Sequence, residues 1–334
     1  MSLCFFIPPA GSGPSRLSNI KGKSRVFLCA LLASNLMGVC WLLLWGCSRD
    51  TPDTVVIYTS QDEVYAQPIL SNFTARAGIK AKAVYDSEAV KTVGLVNRLI
   101  AEKNRPQCDV FWNNEEMRTR QLAAAGVLRE TNAFACFGFR SRRIVYNTNL
   151  LSRADVPVSV AALTNKAFYG KVALAYPLFG TTSTHFLALR QAWGEAGWLE
   201  WCRALQANKP FVVDGNSVVV KLVGKGEAAI GLTDSDDALA GREDKLPIDS
   251  VLPKDGGFFI GNSVAVIRHA PHPAAAQKLM EYLTSEEVRR ELEKASAIEP
   301  ASAAPSAKLG EDDWKRILDS QEAAVNQLKG IFLR

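Results

Sequence analysis

The sequence lacks the signatures of most enzymes and of nucleic-acid-binding proteins. Its 334 residues include only 3 histidines, and neither a G-x-S-x-G nucleophile motif nor a Walker phosphate loop is present. An excess of charge is also missing outside the N-terminus. Residues 1–46 hold four of the 39 basic residues and no acid, which leaves 35 bases and 34 acids in the remainder. The missing motifs and few histidines argue against an enzyme. A surface without an electrostatic footprint for a polyanion argues against a nucleic-acid partner.

Cysteine is used without any recognisable pattern. None of the 7 cysteines forms a C-x-x-C pair, so a zinc site is not supported. Only Cys108, Cys136 and Cys202 lie beyond residue 47, and an odd number does not make a disulfide framework. Buried small side chains are the simplest interpretation, and one disulfide in an oxidising compartment stays open.

The N-terminal segment has the features of an export signal. Four basic residues precede Val26–Gly46, a run of 21 residues without charge. A basic region followed by an apolar run is typical of a secretory signal. Leu44-Trp45-Gly46-Cys47 resembles a bacterial lipobox, so we predict a signal peptide over residues 1–46. An uncleaved transmembrane anchor is the alternative, because the run is long enough to span a bilayer.

Both interpretations place the rest of the chain in the periplasm or cell envelope. If the lipobox is functional, Cys47 is lipidated and anchors the protein to a membrane. Residues 47–53 then form a tether. The basic residues before the apolar run favour the same orientation.

Strands and helices alternate from residue 54 onward. β-branched runs bounded by turn residues predict strands, and apolar residues at helical spacing predict the helices between them. This order predicts parallel pairing in doubly wound sheets. Extended segments near residues 134–146 and 256–265 interrupt the alternation, which indicates two α/β lobes joined by two crossings.

Several segments resemble the periplasmic ferric-iron-binding proteins of ABC importers. The resemblance spans nearly all of residues 54–300, and its order and spacing are more specific than any single motif. The segments are VVIYTSQDEVYAQPILSNF, CDVFWNNE, YPLFGTTSTHFLALR, DGNSVVVKLVGKGEAAIGLTDSD and GNSVAVIRHAPHPAAAQKLMEYL.

That resemblance implies a two-lobed type 2 periplasmic-binding fold with two hinge crossings. Lobe 1 would comprise residues 54–140 and 259–334, the latter including the C-terminal helices, and lobe 2 residues 141–258. It further implies a monomer that closes by hinge motion over its ligand and docks on a membrane permease.

The metal ligands of this family carry over poorly. Asp62 stands where many members have a histidine, and Asn114 where they have a glutamate. The family's pair of adjacent tyrosines is replaced by Thr233-Asp234-Ser235-Asp236-Asp237. Carboxylates of Asp62 and Asp236, with Glu88 or Glu115, would have to bind Fe³⁺ as hard anionic ligands. A solvated acidic turn that caps the next helix is the alternative for Asp234, Asp236 and Asp237.

A hydroxyl-rich segment points to an anion instead. Gly180-Thr181-Thr182-Ser183-Thr184 directly precedes a predicted helix, and free N–H groups at a helix N-terminus bind anions. The alternative is an ordinary N-cap by Thr182 or Ser183. Asn216, Ser217 and Thr233 match family positions that face the same anion.

The predicted site gathers these residues with the ends of neighbouring strands. Tyr58 and Trp112 end strands that face the expected cleft. The remaining ligand candidates are Ser60, Gln61, Asp62, Asn114, Ser235 and Asp236. The expected ligand is ferric iron, free or chelated and with a synergistic anion, and no tightly bound cofactor is expected. Two alternatives stay open: an oxyanion-bearing small molecule such as a phosphate or phosphonate, and ligand sensing for a membrane receptor.

Overall fold

The computed structural model describes residues 53–86, 92–131, 133–303 and 309–333. The predicted signal peptide, the lipidation site Cys47, the tether up to residue 52 and the candidate ligand Glu88 lie outside the described residues. Within those ranges, no helix is both long and apolar enough to cross a bilayer.

Nine strands form one curled mixed sheet in the described part of the chain. They are β1 Thr54–Thr59, β2 Lys80–Tyr85, β3 Val110–Asn113, β4 Ala135–Asn147, β5 Val172–Ala175, β6 Phe211–Val213, β7 Ile230–Asp234, β8 Ile248–Val251 and β9 Phe259–Val266. Their order is β2-β1-β3-β9-β4-β7-β5-β6, with β8 also paired to β4.

The long strand β4 connects two halves of this sheet. Its first part pairs with β9 over Ala135–Ser141, and its second part pairs with β7 and β8 over Arg142–Asn147. On one side β2-β1-β3 run parallel, and on the other β6-β5-β7 do so. This confirms the predicted pair of α/β lobes joined by extended crossings.

Nine α-helices occur in the described ranges. They are α1 Glu63–Ala77, α2 Val93–Ala101, α3 Glu116–Ala124, α4 Gly180–Ala207, α5 Asn216–Lys225, α6 Ser235–Glu243, α7 Pro273–Leu283, α8 Glu286–Lys294 and α9 Glu311–Phe332. Gly78 ends α1 in the left-handed conformation at a φ of 66°, as a C′ glycine does. Short 3₁₀ segments occupy Ala161–Thr164, Lys166–Phe168 and Ala301–Ala303.

Each half of the sheet packs its own apolar clusters. One cluster joins β1, β3 and β9 to α1 and α7, and another surrounds Trp198 and Trp201 on α4. Helix α9 adds Trp314, Ile317 and Leu328 to the cluster around α4. The residue boundaries of the two lobes stay a prediction.

The hydroxyl-rich segment differs from its predicted conformation. It is not a loop before the helix, because α4 begins at Gly180 and the hydroxyls lie in its first turns. Phe179 occupies the N-cap position and has no side-chain acceptor. The long helix also contains a kink at Gly194, whose φ of 73° and ψ of 159° are not helical.

Candidate ligand-binding site

A polar cavity of about 140 Å³ lies where the carboxyl ends of β5 and β7 meet the start of several helices. Ligands of open α/β sheets bind outside the carboxyl ends of the strands. Its lining combines hydroxyl, amide, carboxylate and guanidinium groups. The lining residues are Asp62, Asn114, Arg140, Ala175, Tyr176, Phe179, Gly180, Thr181, Thr182, Asp214, Gly215, Asn216, Ser217, Asp234 and Asp237.

Three helices direct their N-termini at this cavity without a side-chain cap. The N-cap residues are Phe179 for α4, Gly215 for α5 and Asp234 for α6, and none accepts a capping hydrogen bond. The first intrahelical bonds run from Ser183 to Phe179 in α4 and from Val219 to Gly215 in α5. Earlier N–H groups in these helices have no intrahelical acceptor, and the helix dipoles make this end positive.

Asp234 is the centre of a buried network behind these helix starts. Its carboxylate accepts from Arg142 at 2.6 Å, from the Thr181 hydroxyl at 2.6 Å and from the Asn216 amide at 3.0 Å. Arg142 and Asp234 are direct cross-strand partners on β4 and β7. Burial alone would raise the pKa of Asp234, but Arg142 and Arg140 outweigh it and hold that pKa below its usual range.

Arg140 occupies the wall of the cavity two residues before Arg142. One nitrogen, Nη1, lies 2.7 Å from Asp236 Oδ2 and 3.7 Å from Asp234 Oδ2. The other, Nη2, donates to the carbonyl of Asn114 at 2.8 Å. Because the side chain is only 3% exposed, it is held by these contacts rather than by water.

His185 supports the network from α4 as a neutral ring. Its Nε2 lies 2.6 Å from the carbonyl of Gly256, and its Nδ1 lies 3.4 Å from Arg142 Nε. Since guanidinium groups only donate, Nδ1 must accept and Nε2 carries the proton. Burial, together with the charge of Arg142, lowers the pKa of His185 to about 3.

The cavity brings together about half of the residues predicted for the site. Those that line it are Asp62, Asn114, Gly180, Thr181, Thr182, Asn216 and Ser217. Thr233 and Ser235 lie directly behind it: Thr233 donates to the carbonyl of Asn216 at 3.4 Å, and Ser235 accepts from the backbone of Ser141 at 3.2 Å. Ser183 is buried in the same turn of α4 as the lining threonines.

Ser60 and Gln61 are buried and take part in a polar layer under Asn114. The Ser60 hydroxyl donates to Asn113 Oδ1 at 2.6 Å and accepts from the backbone N–H of Asn114 at 3.0 Å. Gln61 accepts from Asn262 at 3.3 Å. These contacts position Asn114 rather than line the cavity themselves.

Tyr58 and Trp112 point away from the cavity. Tyr58 lies in an apolar cluster with α2, where its hydroxyl donates to Glu102 at 3.1 Å and its ring lies under Arg98. Trp112 is buried in the cluster around α1 and packs near Phe137. Their predicted role as ligand contacts is therefore not supported by this geometry.

Asp234 and Asp236 in the acidic turn are not solvated, contrary to the alternative suggested by the sequence, and only Asp237 is partly exposed. Asp234 and Asp236 are buried, and one carboxylate oxygen of each lies within 4.8 Å of the other and of Asp237. Such a cluster could hold a hard cation. Two arginines already neutralise Asp234 and Asp236, however, so the donor set does not suit a bare metal ion.

Sequence reasoning missed Arg140 and Arg142. A signal was present. The two arginines are two residues apart on an extended segment and so share one face, and the acids Asp234 and Asp236 have the same spacing. Buried arginines require carboxylate partners.

Cys108, Cys136 and Cys202 all carry free thiols, so the disulfide that the sequence left open is not formed.

Comparisons with known proteins agree with this fold. A family model described as bacterial extracellular solute-binding protein matches residues 109–327. The major ferric iron-binding protein of Neisseria gonorrhoeae is 25% identical over 263 residues, covering 71% of this chain and 78% of that protein.

Two solved structures show the same fold at low identity. Iron-bound HitA from Pseudomonas aeruginosa superposes with a TM-score of 0.74 at 20% identity, covering 84% of this chain and all of that one. AfuA from Actinobacillus pleuropneumoniae, with exogenous fructose-6-phosphate bound, superposes with a TM-score of 0.73 at 19% identity, covering 85% and 99% of the two chains. The fold is thus the two-lobed type 2 periplasmic-binding fold, and the chain belongs to the bacterial extracellular solute-binding protein family.

Proposed function

We propose that this protein is the substrate-binding lipoprotein of an ABC importer and binds a small molecule that carries a phosphate, phosphonate or similar oxyanion. Ligand contacts from both lobes form together only when the lobes close, so ligand shifts the population toward the closed state. The closed form then docks on a membrane permease. Binding, rather than catalysis, is the role of its family.

The observation that carries the ligand class is the meeting of uncapped helix N-termini at one cavity. Phe179 and Gly215 cannot cap α4 and α5, so the first N–H groups of both helices remain available. A phosphate oxygen bonds such groups and is stabilised by both dipoles. Asn216 and Ser217 add an amide and a hydroxyl at the same place.

Ferric iron is the second candidate, because the similar protein of Neisseria gonorrhoeae is a ferric iron-binding protein. Bare Fe³⁺ would need anionic oxygens. Asp234 already pairs with Arg142, and Asp236 with Arg140. Of the two predicted metal ligands, Asp62 and Asp236, only Asp62 lies outside these two ion pairs. A ferric chelate is more consistent with the cavity, since its anionic arms would contact the helix N-termini.

Location and anchoring follow the same proposal. We place the protein in the periplasm or cell envelope as a monomer held by a lipid on Cys47. Ligand sensing for a membrane receptor would use the same closure. A permease that retains the protein only in the presence of ligand would support transport over sensing.

The test is calorimetric titration of the full chain in detergent. The ligands are inorganic phosphate, a hexose phosphate, an aminoalkyl phosphonate, ferric citrate and iron-free citrate. We expect saturable binding of a phosphate or phosphonate compound. Binding of ferric citrate alone, with no response to any iron-free ligand, would establish the iron alternative. No binding of any oxyanion or chelate would contradict the proposal.

A further inference from the structure

The position of Arg140 relative to the acidic residues is unusual for a solute cavity. Its guanidinium is almost completely buried in the cavity wall and lies against Asp236 at 2.7 Å and Asp234 at 3.7 Å. The same group donates to the carbonyl of Asn114 on the opposite wall at 2.8 Å. It therefore fills the space between the acidic turn and the loop after β3.

That space is where a cation would otherwise be held. Carboxylate oxygens of Asp234, Asp236 and Asp237 lie within 4.8 Å of one another, close enough to share one ion. A second oxygen of Asp236, Oδ1, is buried and makes no hydrogen bond within the described residues. A metal ion bound by all three carboxylates would have to displace the guanidinium, because Arg140 already lies against Asp234 and Asp236 and two cations repel each other in one small buried space.

We propose that Arg140 is a specificity-determining residue that occupies the cation position of the cavity and so excludes metal ions from it. The ligand taken by the wild-type protein is then an oxyanion compound without a coordinated metal. This inference rests on the proposed function, since it concerns the same cavity.

The charge of Arg140 is permanent under all ordinary conditions. Burial alone would lower its pKa, but Asp236 and Asp234 outweigh that effect and raise it above its usual value. A lysine at this position could lose its proton on burial, whereas arginine does not.

The test replaces the guanidinium by an apolar side chain of similar length, Arg140→Met, in the full chain in detergent. The probe is Tb³⁺ alone, a hard trivalent ion that prefers oxygen ligands, followed by sensitised luminescence. We expect Arg140→Met to bind Tb³⁺ at least about tenfold more tightly than the wild type and to melt at a higher temperature when Tb³⁺ is added. The double variant Arg140→Met, Asp236→Asn should lose this gain.

Arg143→Met is the matched control. Arg143 follows on the same strand but pairs with Glu299 at 3.3 Å and does not line the cavity. This variant should bind Tb³⁺ no better than the wild type. Equal Tb³⁺ affinity in Arg140→Met and wild type would overturn the proposal.

Two further measurements keep the outcome decisive if Arg140→Met does not fold. A lysine in Arg140→Lys can lose its proton on burial and cannot contact Asp236, Asp234 and Asn114 together, so it excludes a cation less well and Tb³⁺ affinity should still rise by about threefold or more. Saturable Tb³⁺ binding by the wild type that Asp236→Asn abolishes would also overturn the proposal. Titration of the same variants with the oxyanion panel reports separately on the proposed function.

Discussion

Thr184 donates a hydrogen bond to the Glu115 carboxylate over 3.0 Å, and both side chains are fully buried. Glu115 is also the N-cap of α3 and accepts from the backbone N–H of Arg118 at 3.2 Å. The bond thus ties the start of α3 to the first turns of α4. Burial raises the pKa of Glu115, and the charge of Arg118 and these hydrogen bonds offset only part of the effect.

Glu115→Gln should remove a pH dependence of stability. A raised carboxyl pKa means that the native state binds more protons than the unfolded state above about pH 4.3, so this residue's contribution to the free energy of unfolding falls as pH rises through the native pKa. Glutamine keeps a carbonyl acceptor for Thr184 but does not titrate. In urea unfolding at a series of pH values rising from about pH 4, the wild type should lose stability relative to the variant as pH increases.

Glu116→Gln is the control for that experiment. It makes the same chemical change one residue later, at a side chain that pairs with Arg120 at 2.7 Å and faces partly outward. The interpretation would be contradicted if the difference in free energy of unfolding between the wild type and Glu115→Gln stayed constant with pH.

Ser217→Asp should abolish oxyanion binding without unfolding the protein. Ser217 lies in the uncapped first turn of α5 and lines the cavity. A carboxylate there is favoured by the helix dipole, so stability should change by less than about 1 kcal/mol. The same carboxylate repels a bound anion by several kcal/mol at contact distance, so the affinity measured by calorimetry should fall by roughly 100-fold or more.

Ser285→Asp provides a matched comparison for Ser217→Asp. Ser285 is the N-cap of α8, remote from the cavity, and accepts from Val288 at 3.3 Å. Aspartate caps equally well, so both folding and ligand affinity should be retained. Retention of full affinity in Ser217→Asp would show that the anion does not lie at α5.

The regular elements were largely readable from the sequence. Val172–Ala175 is an example, because its short apolar run between turn signals suits the buried parallel strand that the structure has there. β8 was missed, since its Ile-Asp-Ser-Val pattern is half polar and it pairs only with β4. A strand of this kind forms because a partner is present, and periodicity carries no information about the partner.

The site was predictable only where one local signal was sufficient. Helix-start chemistry identified Thr181 and Thr182, because an anion site at a helix N-terminus depends on neighbouring residues, whereas Asn216 was predicted from the resemblance to the family. Arg140 and Asp236 are 96 positions apart, and their pairing depends on the register of β4. Absence of the tyrosine pair indicated that iron coordination differs, but it did not identify what fills the space.

His185 should make the protein lose stability as pH falls below neutrality. Its pKa of about 3 lies well below that of an unfolded histidine. Between about pH 6.5 and this native pKa, the unfolded state therefore binds one more proton than the native state. Stability from the neutral ring is therefore fully present at pH 7 and declines through this window. His185→Gln should cost about 1–3 kcal/mol at pH 7 through the lost contact to Gly256, and show a shallower decline on acidification.

His269→Gln controls for general effects of removing a histidine. His269 is exposed in the turn before α7. It should leave both the stability at pH 7 and the acid slope measured by urea unfolding unchanged. An acid slope that is as steep in His185→Gln as in the wild type would argue that other groups cause it.

Two contacts of α9 should differ sharply in their contribution to stability. Glu311 makes a bidentate pair with Arg120 at 2.6 and 2.9 Å, but its side chain is 83% exposed. Trp314, one turn later, is buried against Phe258 with ring centroids 6.4 Å apart, and Arg120 lies 5.1 Å from its ring. Surface ion pairs contribute little because water and salt screen them, whereas deleting a buried aromatic leaves a cavity.

In urea unfolding, Trp314→Ala should therefore cost about 3–5 kcal/mol and Glu311→Gln less than about 1 kcal/mol. Raising the salt concentration should shrink the effect of Glu311→Gln and leave that of Trp314→Ala almost unchanged. Equal costs for the two variants would mean that the ion pair, rather than packing, holds α9 on the protein. The apolar cluster shared by Trp314, Ile317 and Leu328 predicts the opposite.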